Sequence, residues 1–313
     1  MHRAVPLVIA ATTAVFVIAG CSTGPTTRGP ASASTTAAPT ASPTPTATLD
    51  TAGVDRALAA LETEYDATVG VVATDTATGE SVAYNGDRRF GYASTIKAFA
   101  AAQLLRSVQG SDRDKVVHWT AADVAAAGHS PVTEQHVADG LSYAALAEAA
   151  VRQSDNTALN LVLTRIGGPD ALDAALHDLG DDVTQVVHDE PDLNTIEPGS
   201  TEDTTTPTAF AADLATLFDG TTLDAADRAQ LLDWMGGNAT GDTLVRAGAP
   251  TGWTVADKSG GAGGIRNDVA LVTRPGGAPI VIAVLTAKND PDAVYDDALV
   301  AKTASTVLGA FAR

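Results

Sequence analysis

The chain has 313 residues, 45% hydrophobic, 4% aromatic and 18% charged, the composition of a folded globular protein and not of a disordered or fibrous one. Thirty-eight acidic against 19 basic residues give a net charge of −19, which repels nucleic-acid phosphates and anionic headgroups and argues against nucleic acid as a partner. Cys21 is the lone cysteine and the six histidines never fall at H-x-x-x-H spacing, so an intrachain disulfide, a cysteine-rich zinc site and a zincin-type metal site are excluded.

The N-terminus reads as a targeting segment. His2 and Arg3 precede an apolar run from Val5 to Ile18, which suits the core of a signal peptide over residues 1–20 and is short for a membrane span. Ile18-Ala19-Gly20-Cys21 resembles a bacterial lipobox, which implies lipidation of Cys21 and an extracytoplasmic protein anchored to the membrane by acyl chains alone. Residues 21–49 then form a linker. Ser22 to Thr48 holds nine Thr, six Ala, five Pro and four Ser, and offers nothing from which a core can be built.

Residues 50–313 are enough for one large domain or two interleaved lobes. Val54, Leu58, Leu61 and Tyr65 have helical spacing. Val69 to Asp75 and Ser81 to Asn85 read as a hairpin about a Thr-Ala-Thr-Gly turn. Helical patterns follow over 94–106, 142–151, 156–166, 171–179, 208–218 and 224–235, with Gly167-Gly168 and Gly236-Gly237 as stops and Pro169 and Pro207 as starts. The chain closes on a second hairpin, 268–273 and 279–286, and a helix with Val294, Ala298, Ala301, Ser305 and Leu308 on one face. Strands at both ends with helices between predict an α/β lobe from about 50–85 and 250–313, with an all-helical lobe of about 86–249 inserted.

Three short motifs carry chemistry. Ser94-Thr95-Ile96-Lys97 puts a hydroxyl and an amine on one helix face, near the positive end of the dipole; a lysine with a depressed pKa there can accept the serine proton. Taken alone, the spacing is a weak signal that more often marks a surface helix pair. Ser154-Asp155-Asn156 adds a second hydroxyl and an amide that can orient a carbonyl. Lys258-Ser259-Gly260 lies on a strand-like run, where a cation, a hydroxyl and an open backbone edge can bind a carboxylate and pair with an extended substrate.

In this order the three motifs resemble the penicillin-recognising serine hydrolases. Glu190-Pro191-Asp192-Leu193-Asn194 narrows the resemblance to class A β-lactamases, where it looks like the omega-loop motif. The intervals of 60 residues from Ser94 to Ser154, 36 from Ser154 to Glu190 and 68 from Glu190 to Lys258 suit that family. Arg89-Phe90, Ser130-Pro131-Val132-Thr133 and Thr206-Pro207 extend the likeness over essentially all of residues 50–313.

The resemblance implies an antiparallel sheet flanked by N- and C-terminal helices with an inserted helical lobe. It implies a Ser94 nucleophile with Lys97 and Glu190 as alternative proton acceptors, Ser154 as relay to the departing nitrogen, and an oxyanion hole from the N–H groups of Ser94 and Gly261. Asn194 would help Glu190 hold the hydrolytic water. Asn156 would hold the acylamino side chain, and Lys258, Ser259, Gly260 and Arg266 the remainder of the substrate with its carboxylate. The expected partners are a small β-lactam and water; the enzyme would be a monomer without metal or cofactor, and would confer antibiotic resistance. A D,D-peptidase (a penicillin-binding protein) and a covalent β-lactam sensor are the competing functions. Neither needs a water-activating carboxylate on an omega loop.

Some positions depart from the family pattern. His188 stands two residues before Glu190 in place of arginine, opposite Asp203, which predicts a looser loop. His129 replaces an aromatic at the pocket mouth, and the segment at Gly263-Gly264 is one residue short. Trp119, Trp234 and Trp253 read as core or lobe-interface residues, and Asp181-Asp182 as a solvated turn.

Overall fold

The computed structural model describes residues 49–290 and 292–312; the signal segment, Cys21 and nearly all of the linker lie outside them. Helix α1 (Thr51–Tyr65) leads into β1 (Ala67–Asp75) and β2 (Ser81–Tyr84). Seven helices follow: α2 (Ile96–Ser107), α3 (Ala121–Ala127), α4 (Tyr143–Arg152), α5 (Asn156–Ile166), α6 (Pro169–His177), α7 (Pro207–Phe218) and α8 (Ala225–Gly236). A single turn, α9 (Val245–Gly248), precedes β3 (Thr254–Ala262), β4 (Ile265–Thr273), β5 (Pro279–Lys288) and α10 (Asp297–Phe311).

The helix starts have local causes. Asp50, Ser142, Asp155, Thr206, Asp224 and Asp296 each accept a first-turn amide, satisfying donors that the helix itself cannot. Thr120 and Asp123 close a reciprocal capping box on α3, a helix too short to show in the hydrophobic period.

The five long strands form one antiparallel sheet in the order β2-β1-β5-β4-β3. Its side chains alternate strictly between two cores. Ile280, Ile282 and Val284 of β5 pack with α1 and α10, whereas Val281 and Ala283 face the helical lobe. On β4, Ala270 and Val272 face one way, Val269 and Leu271 the other. Helix α2 is apolar almost all round and runs through the helical lobe, with Ile96, Phe99, Leu104 and Leu105 nearly inaccessible. Trp119 and Trp234 are buried in this lobe, and Trp253 packs at the edge of the other core.

The expected solvated turn at Asp181-Asp182 needs correcting. Asp181 is buried, and its Oδ1 accepts the amides of Val183 and Thr184 at 2.7 and 2.9 Å. Burial, with the negative Asp181 alongside, pushes the Asp213 carboxyl up to about 9. Only Asp182 is exposed.

Candidate active site

Ser94 lies in a 3₁₀ turn (Ala93–Thr95) that feeds α2, and Lys97 follows on the first turn of that helix. Residues i and i+3 nearly eclipse in a 3₁₀ turn, and the Ser94 Oγ to Lys97 Nζ distance is 2.8 Å. The turn is strained: Ala93 has φ +47°, a left-handed value that costs a non-glycine residue of order 1–3 kcal/mol. Thr95 Oγ1 donates to the Tyr92 carbonyl at 2.6 Å, and the buried Asn267 of β4 donates to the Gly91 and Tyr92 carbonyls at 2.8 and 3.2 Å. These bonds hold the strained backbone from two sides.

The Lys97 amine is fully buried. It lies 2.6 Å from Asn156 Oδ1, 2.8 Å from the Ser154 carbonyl and 3.0 Å from Glu190 Oε1. Those three oxygens can only accept, so they take all three protons of an ammonium, and Lys97 becomes a base for Ser94 only after releasing one. Burial favours that release by drawing its pKa below the usual lysine range, while the Glu190 charge opposes it.

Ser154 sits at φ +56°, between α4 and α5. The adjacent Asp155 is inaccessible to solvent and accepts the amides of Val132, Thr133 and Ala158 and the Thr133 hydroxyl. One carboxylate thereby starts α5 and ties down Ser130–Thr133, leaving the Ser154 side chain between the two lysines. Lys258 Nζ is 3.2 Å from Ser154 Oγ and 2.7 Å from the Ser259 carbonyl. Burial and the nearby Lys97 charge push the Lys258 amine down to about 7.

Glu190 reaches the same place from the loop joining α6 and α7. Asn160 of α5 grips its backbone in both directions, at 2.9 Å on the N–H and 2.8 Å on the carbonyl. Its Oε1 is 3.4 Å from Ser94 Oγ, and its Oε2 accepts from Asn194 Nδ2 at 2.6 Å. Asn194 Oδ1 is buried without a protein partner.

Across the cleft, β3 needs its glycine. A Cβ on Gly260 would sit 2.9 Å from the Tyr92 carbonyl and 3.1 Å from the Ser94 nitrogen, so any side chain would force the strand off the nucleophile's turn. The cavity between is about 440 Å³, and Ser94, Ser154, Asn156, Glu190, Ser259 and Gly261 lie on its wall. Arg266 also lines it, held by Asp297 at 2.7 Å and stacked on Tyr295. Lys258 does not line it. The expected direct grip of Lys258 on a carboxylate gives way to a buried charge behind Ser154 and Ser259. Asn156 is likewise already engaged, its Nδ2 donating to the Ala127 carbonyl at 2.8 Å.

His129 is exposed at the mouth, its Nε2 3.2 Å from the Gln153 carbonyl, which makes that nitrogen the protonated one. Among the described residues no group of three or more His, Cys, Asp or Glu is placed to hold a metal ion. Tyr92, Asn160, Asn267, Thr240 and Asp297 were not singled out in the sequence. They belong to no short motif, and each acts by touching a residue far away along the chain.

The expected pair closes the loop: His188 Nδ1 is 2.5 Å from Asp203 Oδ2. Asp203 Oδ1 also accepts the Tyr92 hydroxyl at 2.6 Å and the Val187 and His188 amides. The bond to Asp203 raises the His188 pKa. A raised folded pKa means that the contribution is complete below the unfolded value of about 6.5 and fades as pH rises through the folded value. With His188 44% exposed, solvent screens the pair to about 0–1 kcal/mol. His188→Arg should therefore raise the unfolding free energy more at pH 8 than at pH 6; denaturant melts giving equal gains at both would show that the imidazole charge plays no part.

With two amines sealed from solvent and a carboxylate within reach of its hydroxyl, Ser94 has the surroundings of an active-serine hydrolase. The sequence matches the Beta-lactamase enzyme family over residues 53–311. It is 46% identical to a beta-lactamase of Amycolatopsis lactamdurans over 85% of this chain and 88% of that one, and 45% identical to beta-lactamase 3 of Bacillus cereus over 81% and 80%. The fold superposes on the class A beta-lactamase of Clostridium kluyveri DSM 555 with a TM-score of 0.80, at 44% identity, covering 83% of this chain and 98% of that one. The chain belongs to the class A β-lactamases, hydrolases that open β-lactam rings.

Proposed function

We propose that Ser94 opens the β-lactam ring and that Glu190 directs the water that clears the resulting ester. Ser94 Oγ bonds to the lactam carbonyl carbon, its proton passing to Lys97 or Glu190, and the Ser94 and Gly261 N–H groups bind the oxygen as it gains charge. The C–N bond then breaks and Ser154 hands its proton to the nitrogen, receiving in turn through Lys97 the proton taken from Ser94, while the Lys258 charge steadies the oxygen between them. Glu190 next takes a proton from water, whose oxygen bonds to the ester carbon; the bond from that carbon to Ser94 Oγ breaks, the proton on Glu190 returns to Ser94, and the acid departs. Arg266, Ser259 and Thr240, whose hydroxyl lies on the cavity wall 2.5 Å from Ser259 Oγ, hold the substrate carboxylate, with Lys258 adding charge from behind. All these groups come from one chain, in keeping with a monomer.

The observation that carries this reading is the Glu190–Asn194 pair beside Ser94, in which the free Asn194 Oδ1 offers water an acceptor next to the base. Turnover of a penicillin, a cephalosporin and a carbapenem by the purified protein tests it. Stoichiometric acylation without turnover of any of the three would favour a β-lactam sensor. In a bacterial host the activity would confer β-lactam resistance.

Lys258 gives the reaction a pH signature. An amine titrating near 7 loses its charge above that pH in the free enzyme, whereas a bound carboxylate keeps it protonated. kcat/KM for a penicillin should fall above about pH 7 while kcat holds further into the alkaline range. A kcat/KM profile flat to pH 9 would show that Lys258 stays charged.

We place the enzyme outside the cytoplasm, tethered through Cys21, on the strength of the apolar N-terminal run and the lipobox-like sequence. Cys21→Ala should move activity from the membrane to the soluble extracytoplasmic fraction without changing kcat. Continued membrane association would remove the lipid anchor from the account.

A further inference from the structure

A second cavity, of about 430 Å³, lies between β1, the carboxyl end of β5 and the β3–β4 turn, within the usual range of about 300–1,000 Å³ for small-molecule sites. In a chain of net charge −19, its wall contains Arg88, Arg89 and Lys288 and no carboxylate. Among the described residues, none of the three cations forms an ion pair with a carboxylate. Arg89 donates to the Val183 carbonyl at 2.6 Å and to Thr204 Oγ1 at 2.9 Å. Lys288 donates to the Tyr65 carbonyl at 2.7 Å, and the side chain of Arg88 makes no hydrogen bond or ion pair among the described residues. By contrast Arg113, Arg266 and Arg274 each meet a carboxylate.

The remainder of the wall is apolar or bare backbone. Phe90, Ile196 and Ile265 supply hydrocarbon, and Gly263-Gly264 forms the two-residue turn linking β3 to β4. Uncompensated positive charge beside hydrocarbon suits a molecule with an anionic head and an apolar body. Such a head restores the missing counter-charge, and the body leaves water.

We infer that this cavity is a second binding site, distinct from the catalytic pocket, for a small amphipathic carboxylate of the medium-chain fatty-acid type. Asn194 lies on both cavity walls. On the reading that Asn194 positions the hydrolytic water, an occupant would alter deacylation without competing with substrate. Binding itself does not depend on that reading.

The probe is decanoate below its micellar concentration, titrated calorimetrically into the intact protein. Carboxylates can also enter the catalytic pocket through Arg266, so the titration is repeated on a stable penicilloyl adduct of Glu190→Gln or, if none accumulates, with saturating phenylboronic acid on Ser94. Decanoate should bind the blocked and free forms alike, and 1-decanol about tenfold more weakly or worse. Arg88→Glu, a change at an exposed unpaired side chain, should weaken decanoate about tenfold or more and leave penicillin hydrolysis in its absence unchanged. Decanoate should lower kcat without raising KM.

Loss of binding in the blocked form, or an undiminished affinity in Arg88→Glu, would overturn the site. So would attachment to phosphatidylglycerol vesicles without decanoate binding, which would make the patch a membrane contact. If decanoate binds as described but kcat does not move, the site stands and the link through Asn194 falls.

Discussion

Glu190→Gln should acylate and then stop. The amide cannot take a proton from water, and loss of a general base typically costs about 10²–10⁴-fold. With penicillin, mass spectrometry should find the added mass on Ser94 persisting long after the parent enzyme has returned to its free state. The acylation half-reaction should survive, because Lys97 lies 2.8 Å from the hydroxyl and the neutral amide lessens the pull that keeps Lys97 charged. Acylation slowed as much as deacylation would make Glu190 the base for both steps. Turnover at the parent rate would leave Glu190 outside the reaction.

Ser94→Ala should abolish the adduct altogether, with hydrolysis falling by about 10⁶-fold, the scale on which serine hydrolases lose activity without their nucleophile. The protein should still fold, since Lys97 keeps its bonds to Asn156, the Ser154 carbonyl and Glu190. Penicillin should therefore bind reversibly, and its affinity isolates the contribution of Arg266, Ser259 and their neighbours from the covalent step. An acyl group found on Ser154 in this variant would show that the second hydroxyl is also activated.

The sequence carried the motif residues because short motifs are local. Ser94 and Lys97 are one helical turn apart, and Glu190 and Asn194 sit on one tight loop, so each motif can be matched locally, while it is the resemblance to class A β-lactamases that implies their chemistry. The hairpins and most of the long helices were legible for a similar reason, since period 2 and period 3.6 are written into the apolar positions, but the face of the last helix was not: Val294 lies exposed before α10, and Leu299, Val300, Thr303, Val307 and Phe311 form its buried side instead of Ala298 and Ser305. What escaped is what depends on distance along the chain. Nothing near Asn267 says that its side chain will brace Tyr92, and nothing near Asp155 says that it will gather Thr133. Lys258 was read as a carboxylate ligand because a strand lysine beside a serine suggests one; only the packing shows it sealed behind the wall. At the foot of the loop the pairing of His188 with Asp203 was legible, but not that Asp203 draws most of its donors from backbone amides and Tyr92.

The place of β5 in the sheet sets an order of events. This strand is the middle one, yet it is the last to be synthesised, and its register partner on β1 lies more than 200 residues earlier, as in Val71 opposite Val284. Neither core can close until the ribosome has delivered nearly the whole polypeptide, and pairing across so long a loop is intrinsically slow. The nascent chain is thus kept from locking its sheet before its last strand is made.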